Sequence, residues 1–159
     1  MRFVGWHIEG FGQFLGLPHS DLGPGLVVVH GPNEAGKSTL LEFLRFVLFG
    51  RERGKRLVAL GGGRLGGRVE IEVGAGSVAL CERFDGEAPI VLRDGERLVG
   101  EAHLARLLGG VDRRLFQSVY SFSLADLNSL DGLGDDATRE RLCAGAVAGA
   151  GRSGDEARR

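Results

Sequence analysis

The residues best suited to chemistry lie in one short stretch, the pattern Gly-x-x-x-x-Gly-Lys-Ser over residues 31–38. Its glycines let backbone N–H groups approach a phosphate closely, and the N-terminus of a following helix adds positive charge. The side chain of Lys37 would bridge the β- and γ-phosphates, and the hydroxyl of Ser38 would bind Mg²⁺. The pattern therefore predicts a phosphate-binding loop (P-loop) for a nucleotide with Mg²⁺, formed by Gly31, Pro32, Asn33, Glu34, Ala35, Gly36, Lys37, Ser38 and Thr39.

The elements that must position this loop are a strand before it and a helix after it. Residues 26–29 form a continuous aliphatic run, which is typical of a strand buried on both faces of an α/β sheet. Residues 38–48 are mostly apolar, which predicts a largely buried helix that ends at Gly50. Alternation over residues 2–9 predicts a half-buried opening strand, and the glycines after it predict a loop or a short hairpin.

The middle of the chain, residues 68–99, predicts an antiparallel β-meander. Four short strand patterns follow one another there, joined by brief turns that contain Gly or Asp-Gly. Such turns allow only antiparallel pairing, because parallel strands need long crossovers. From Glu101 to residue 130 the pattern is helical, and residues 131–159 predict a helix that decays into a frayed polar end.

Composition indicates one globular domain in the cytoplasm. The 159 residues, of which 43% are hydrophobic and 26% charged, suffice to bury a core. Cys81 and Cys143 lie far apart and predict free thiols in a reducing compartment. No signal-peptide pattern opens the chain, and no apolar run approaches the roughly 18 residues of a membrane span. The net charge of −1 offers no overall electrostatic attraction to nucleic acid.

The P-loop and its flanks resemble the ABC-type ATPases of the SMC/RecN/SbcC group, in particular the YhaN-like branch. The resemblance rests on four stretches: "GPNEAGKSTLLEFLRFVLFG", "MRFVGWHIEGFGQF", "LGPGLVVVHG" and "LLGGVDRRLFQSVYSFSLADLNSL". It implies an α/β P-loop NTPase fold, the N-terminal lobe of an ABC-type ATPase head, over residues 1–130. Within that lobe we expect a strand, the P-loop and a helix in residues 1–50, the meander in 68–99 and helices in 101–130.

The resemblance also implies a function and a missing half. It implies ATP and Mg²⁺ as ligands and a role in DNA repair or chromosome maintenance. The family completes its site with a Walker B strand that ends in Asp-Glu and with a signature motif, and neither occurs in this sequence. The implied partner is therefore a C-terminal ATPase lobe or a second head that dimerises on ATP binding. Without a Walker B strand, the predicted strand 27–29 would keep an unpaired edge, so we expect the isolated chain to associate or to be poorly stable.

Two further features have alternative interpretations. The family's Q-loop glutamine is expected where Ser123 or Leu124 stands, and Gln117 is either its displaced substitute or an ordinary residue on a helix surface. A basic cluster either contacts DNA phosphates or forms a solvated loop of an arginine-rich chain. This cluster consists of Arg51, Arg53, Lys55, Arg56, Arg64 and Arg68.

Two other functions compete with the ATPase lobe. One is a self-contained small P-loop NTPase or kinase, although the Asn-Lys-x-Asp motif of GTPases does not occur around Lys37 or Lys55, the only lysines. The other is a non-catalytic nucleotide-binding module whose ATP controls association with a partner. Turnover by the chain alone would favour the first, and turnover restored by an added C-terminal lobe would favour the ATPase lobe.

Overall fold

The computed structural model describes residues 1–74 and 76–121, which divide into two compact units. The first unit, residues 1–112, holds one antiparallel sheet of six strands in the order β2-β1-β3-β4-β5-β6. Its strands are β1 (Arg2–Phe11), β2 (Phe14–His19), β3 (Gly66–Val73), β4 (Ser77–Phe84), β5 (Ile90–Arg93) and β6 (Glu96–Val99), and its helices are α1 (Lys37–Phe49) and α2 (Glu101–Leu107). The second unit begins with helix α3 (Arg113–Leu115) and a π-helical turn (Phe116–Tyr120).

The predicted meander is present as strands β3 to β6, each paired antiparallel with the next. The turn between β5 and β6 shows why Asp-Gly suits such a connection. Asp94 and Gly95 have φ angles of 51° and 82°, and a two-residue hairpin turn of type I′ needs positive φ at both positions. The sequence prediction of antiparallel pairing is confirmed.

The opening strand belongs to the same sheet, since β1 pairs with β2 on one side and with β3 on the other. The hairpin alternative for the glycine-rich stretch is thereby confirmed. Gly67, opposite Ile8, allows both β1 and α1 to approach β3 closely: a Cβ atom there would lie 2.2 Å from the carbonyl oxygen of His7 in β1 and 3.1 Å from the ring of Phe43 in α1. The N-terminal hairpin and the meander therefore form one surface on which α1 lies.

The core lies between this surface and α1, the predicted buried helix. Its apolar residues have almost no exposed surface: Ile8, Phe11, Phe43, Phe46, Val47, Leu48, Val69, Ile71, Ala79, Cys81 and Val91. The helix ends as predicted, because the N–H of Gly50, with a φ of 78°, donates to the carbonyl of Phe46. Cys81 is a free thiol, and burial raises its pKa to about 12, so it is inert.

A buried arginine joins three elements of the first unit. Arg83 of β4 donates from Nε to the carbonyl of Val47 in α1, at 3.0 Å. Its two terminal nitrogens donate to both carboxylate oxygens of Glu101, in the first turn of α2, at 2.6 and 2.9 Å. The side chain of Arg83 is only 6% exposed, whereas that of Glu101 is 67% exposed. This brace holds the end of α1 to the sheet and to the start of α2.

The prediction of a buried strand at residues 26–29 is wrong for this chain. These residues belong to no strand, and their exposed fractions are 92% for Leu26, 45% for Val27, 70% for Val28 and 51% for Val29. The run pairs with none of the six described strands, although β2 and β6 at the two edges of the sheet each have only one neighbour. The aliphatic run that the sequence places in a core lies at the surface.

Several predictions fall on residues outside the described part of the chain. They are the Q-loop positions Ser123 and Leu124, the free thiol of Cys143, the end of the helical stretch 101–130, and the frayed helix 131–159. The start of that stretch is confirmed by α2 and by the helical turns from Arg113 to Tyr120. None of the helices in residues 1–74 and 76–121 is long and apolar enough to cross a membrane.

Candidate phosphate-binding site

The P-loop leads directly into the N-terminus of α1, which begins at Lys37. Gly36 precedes the helix with a φ of 92°, and its carbonyl accepts the first helical hydrogen bond, from the N–H of Leu40. A Cβ atom on Gly36 would lie only 2.4 Å from the ring of Phe14. Position 36 therefore requires glycine both for its backbone conformation and for the packing of β2 against the loop.

One open cavity of about 550 Å³ lies over the loop and the start of α1. Six of the predicted site residues line it: Asn33, Glu34, Gly36, Lys37, Ser38 and Thr39. Ser38 is exposed, so its hydroxyl is accessible to a metal ion carried in with a nucleotide. The N-terminal backbone N–H groups of α1 add positive charge at this point, which makes the cavity suitable for phosphate.

The ammonium group of Lys37 lies against the loop itself. Its Nζ donates hydrogen bonds to the carbonyl oxygens of Gly31 and Pro32, each at 2.7 Å. These carbonyls carry no full charge, so phosphate oxygens would be stronger partners for the ammonium. The carbonyls of Gly31 and Pro32 thus hold the ammonium of Lys37. The phosphate oxygens of a bound triphosphate would replace them as its hydrogen-bond partners.

The turn between β1 and β2 is part of the site, although sequence reasoning did not include it. The side-chain Nε2 of Gln13 donates to the carbonyl of Glu34 at 3.1 Å, and Gln13 lines the same cavity as Lys37. A Cβ atom on Gly12, which has a φ of 54°, would lie 2.5 Å from Cγ2 of Thr39. The signal in the sequence was the Phe-Gly-x-Phe stretch, which we used only for the family resemblance.

A second, smaller cavity of about 220 Å³ adjoins the P-loop and has aromatic walls. Trp6, the only tryptophan of the chain, stacks on His19 with ring centroids 4.7 Å apart. The cavity shares Gly36 and Lys37 with the larger one. Flat aromatic walls beside a phosphate-binding cavity are suited to contact with a nucleobase.

Half of the basic cluster is neutralised by ion pairs within the chain. Three of its members contact acids: Arg51 with Asp85 at 2.5 Å, Lys55 with Glu42 at 2.7 Å, and Arg64 with Glu87 at 2.7 Å. The guanidinium of Arg64 also lies over the ring of Phe84. The cations without an ion pair in the described residues are Arg53, Arg56 and Arg68.

Of these three arginines, Arg56 is the one that the structure brings to the P-loop. It lines a cavity of about 240 Å³ with Ser38, Thr39 and Glu42. Gln117, by contrast, lies in the second unit within the π-helical turn Phe116–Tyr120, so its relation to the loop stays a prediction. In the described residues no three His, Cys, Asp or Glu side chains converge on a metal position.

The chain is similar to known proteins over most of its length. A family model described as an AAA domain matches residues 1–137. The "Uncharacterized protein YhaN" of Bacillus subtilis (strain 168) is 31% identical over 153 residues, which cover 94% of this chain and 16% of that protein. The chain thus spans about a sixth of the length of this curated relative.

A solved structure resembles the chain in fold. It is described as "Structural biochemistry of ATP-driven dimerization and DNA stimulated activation of SMC ATPases", and it superimposes with a TM-score of 0.57 at 14% sequence identity. The match covers 92% of this chain and 99% of that one. At this identity the likeness concerns the fold alone.

Proposed function

The chain belongs to the AAA domain family, and from that membership we propose that it binds ATP with Mg²⁺ as the N-terminal lobe of an SMC-like ATPase. Its fold resembles that of an SMC ATPase chain over nearly the whole length of both. The observation that carries the proposal is the convergence of Gly36, Lys37, Ser38 and Thr39 around one open cavity at the start of α1. This geometry supplies backbone N–H groups, a cation and a hydroxyl, which are the groups that a triphosphate with Mg²⁺ requires.

The residues present would divide the work of binding among them. The N–H groups at the start of α1 would hold phosphate oxygens, and Lys37 would leave Gly31 and Pro32 to bridge the β- and γ-phosphates. Ser38 would offer one hydroxyl ligand to Mg²⁺. Since Mg²⁺ keeps several waters and takes substrate phosphate oxygens, one protein hydroxyl fits this ion without a protein cage.

Hydrolysis, in this proposal, requires a partner lobe. The sequence has no apolar run that ends in Asp-Glu, and in this proposal the partner lobe supplies the carboxylates that would complete the metal site and act on water. The exposed run Leu26–Val29 directly precedes the P-loop and is the surface that a partner strand would cover. A self-contained NTPase or kinase would bury this run against its own sheet, so its exposure favours the lobe over these alternatives.

Titration of Mg-ATP into the isolated 159-residue chain tests the proposal. We expect saturable binding heat that returns to baseline after each injection, because the chain holds the nucleotide without turning it over. Titration of Mg²⁺ alone is the control and should give no comparable heat. Continuing heat from hydrolysis would contradict the lobe and favour a complete small NTPase, and an absence of binding would contradict the nucleotide site itself.

The exposed run Leu26–Val29 leads to a second prediction for the same sample. Because four aliphatic side chains lie unpaired at the surface, the wild-type chain should self-associate as its concentration rises. Val28→Lys should shift it toward monomer in sedimentation or light-scattering measurements. Val99→Lys is the control, since Val99 is also exposed, at 48% against 70% for Val28, but lies on β6. A wild-type chain that is monomeric at all concentrations would contradict the missing-lobe proposal.

The biological role that the sequence resemblance implies is not supported by the geometry of the site. A role in DNA repair or chromosome maintenance, and DNA contact through the basic cluster, stay predictions of the sequence resemblance. Three of the six cations already have acidic partners in the chain, which reduces the charge available to a phosphate backbone. We therefore restrict the proposal to the nucleotide, its metal ion and the partner lobe.

A further inference from the structure

We propose that Gln13 is a positioning residue that keeps the P-loop in its phosphate-binding conformation by holding the carbonyl of Glu34. This inference rests on the proposed function, because it concerns how the same site is prepared for ATP. Its basis is the hydrogen bond from Nε2 of Gln13 to that carbonyl, at 3.1 Å, on the wall of the phosphate cavity.

The turn that carries Gln13 is fixed on two sides. On one side, Gly12 donates its N–H to the carbonyl of Val58 and accepts from the N–H of Leu60, both at 2.7 Å. On the other side, the turn lies close to Thr39, since a Cβ atom on Gly12 would lie 2.5 Å from Cγ2 of Thr39. Gln13 therefore reaches the loop from a rigid platform, and its hydrogen bond can direct the loop rather than follow it.

The peptide that Gln13 holds follows a residue with an unfavourable backbone conformation. Glu34 has a φ of 66°, a left-handed conformation that an L-residue with a side chain adopts at a cost. The carbonyl of Glu34 and the N–H of Ala35 belong to one planar peptide and point in opposite directions. That N–H donates to the carbonyl of Pro32, at 3.3 Å, so the peptide is held at both ends.

Loss of the Gln13 bond would free this peptide to rotate toward an unstrained conformation. Rotation would change the direction of a carbonyl and an N–H beside the cavity, where a phosphate must meet donors only. The side chain of Gln13 suits the task because it is a neutral donor of the right length. A glutamate there could not donate and would bring negative charge to a phosphate cavity.

Two variants of the full chain separate this role from simple packing. Gln13→Leu keeps much of the volume but cannot donate, and Gln13→Lys restores a donor at the end of a flexible chain. The first readout is amide hydrogen exchange of residues 33–36 in the nucleotide-free protein. The second is the affinity for Mg-ATP, followed by calorimetry and by the fluorescence of Trp6, whose cavity adjoins the P-loop.

We expect Gln13→Leu to speed exchange at Ala35 and to weaken the affinity for Mg-ATP by about three- to tenfold, the effect of one net hydrogen bond. Gln13→Lys should restore both properties. Unchanged exchange in the leucine variant, faster exchange without weaker affinity, or no rescue by lysine would each overturn the positioning role. If the wild-type chain does not bind Mg-ATP, the proposed function fails, and with it the role of Gln13 in preparing an ATP site.

Discussion

Lys37→Ala is expected to weaken the binding of Mg-ATP by about 100-fold or more. The variant removes the cation that would face the phosphates of a bound nucleotide, and with it the two charge-assisted hydrogen bonds that the ammonium would make. Each such bond corresponds to roughly a tenfold change in affinity or more. Because the carbonyls of Gly31 and Pro32 lie at the surface, water can replace Lys37 there, and the fold should keep its melting temperature. Calorimetric titration measures the affinity.

Lys55→Ala is the matched control for this variant, since Lys55 is the only other lysine of the chain. It contacts Glu42 at 2.7 Å from a half-exposed position, and its loss should leave the ATP affinity nearly unchanged. An equal affinity in Lys37→Ala and wild-type protein would contradict the assignment of the P-loop as the phosphate site. An equal loss in both lysine variants would show a general charge effect instead.

Arg83→Met is expected to lower the free energy of unfolding by about 2–4 kcal/mol, the largest effect on stability that we predict for a single side chain outside the apolar core. Methionine fills part of the volume but leaves the buried carbonyl of Val47 without its donor. It also removes the paired hydrogen bonds that link the sheet to Glu101 at the start of α2. Urea denaturation of both proteins measures the difference. An unchanged midpoint would show that the brace is structurally unimportant.

Glu101→Gln is the milder companion of that variant. The Glu101 side chain is 67% exposed, so its loss of charge should lower the free energy of unfolding by less than about 1 kcal/mol. The hydrogen bonds from Arg83 hold the pKa of Glu101 below its ordinary value of 4.5. A lowered folded-state pKa contributes stability above the unfolded pKa, and this contribution is lost as the pH falls through the folded value. The difference between wild-type and Glu101→Gln should therefore shrink below pH 4.5, and a constant difference would argue against this ion pair.

The elements that sequence reasoning located are those encoded by neighbouring residues. The helix α1 follows from the apolar run up to Phe49 and from the glycine after it, and the meander follows from Asp-Gly turns. The pairing of β1 with β3 was not predicted, because it joins residues about sixty positions apart and no tight turn connects the two strands. Non-local pairing depends on which strands are available, and no short pattern records that.

Some residues of the candidate site could be predicted from local sequence patterns, and others could not. The P-loop pattern located Lys37 and Ser38, because each residue type in that pattern has a direct task at a phosphate. Gln13 was not predicted, because its partner is the backbone carbonyl of Glu34. Any residue at position 34 would offer that carbonyl, so the sequence carries no pattern for this contact. The run Leu26–Val29 was wrongly predicted as buried for a third reason. Hydrophobicity indicates that a segment is suited to burial, but it does not identify the partner that would bury it.

The order of the strands bears on how the lobe is made in the cell. Among the described residues, every strand of the sheet lies between Arg2 and Val99, and all pairs except β1 with β3 are neighbours in sequence. The sheet and α1 can therefore assemble during synthesis, once about the first hundred residues have left the ribosome. The run Leu26–Val29 would then be exposed on the newly folded sheet and helix. Exposed apolar surface of this kind is what chaperones bind on nascent chains, so we expect this run to be the part of the new chain that is most prone to wrong association.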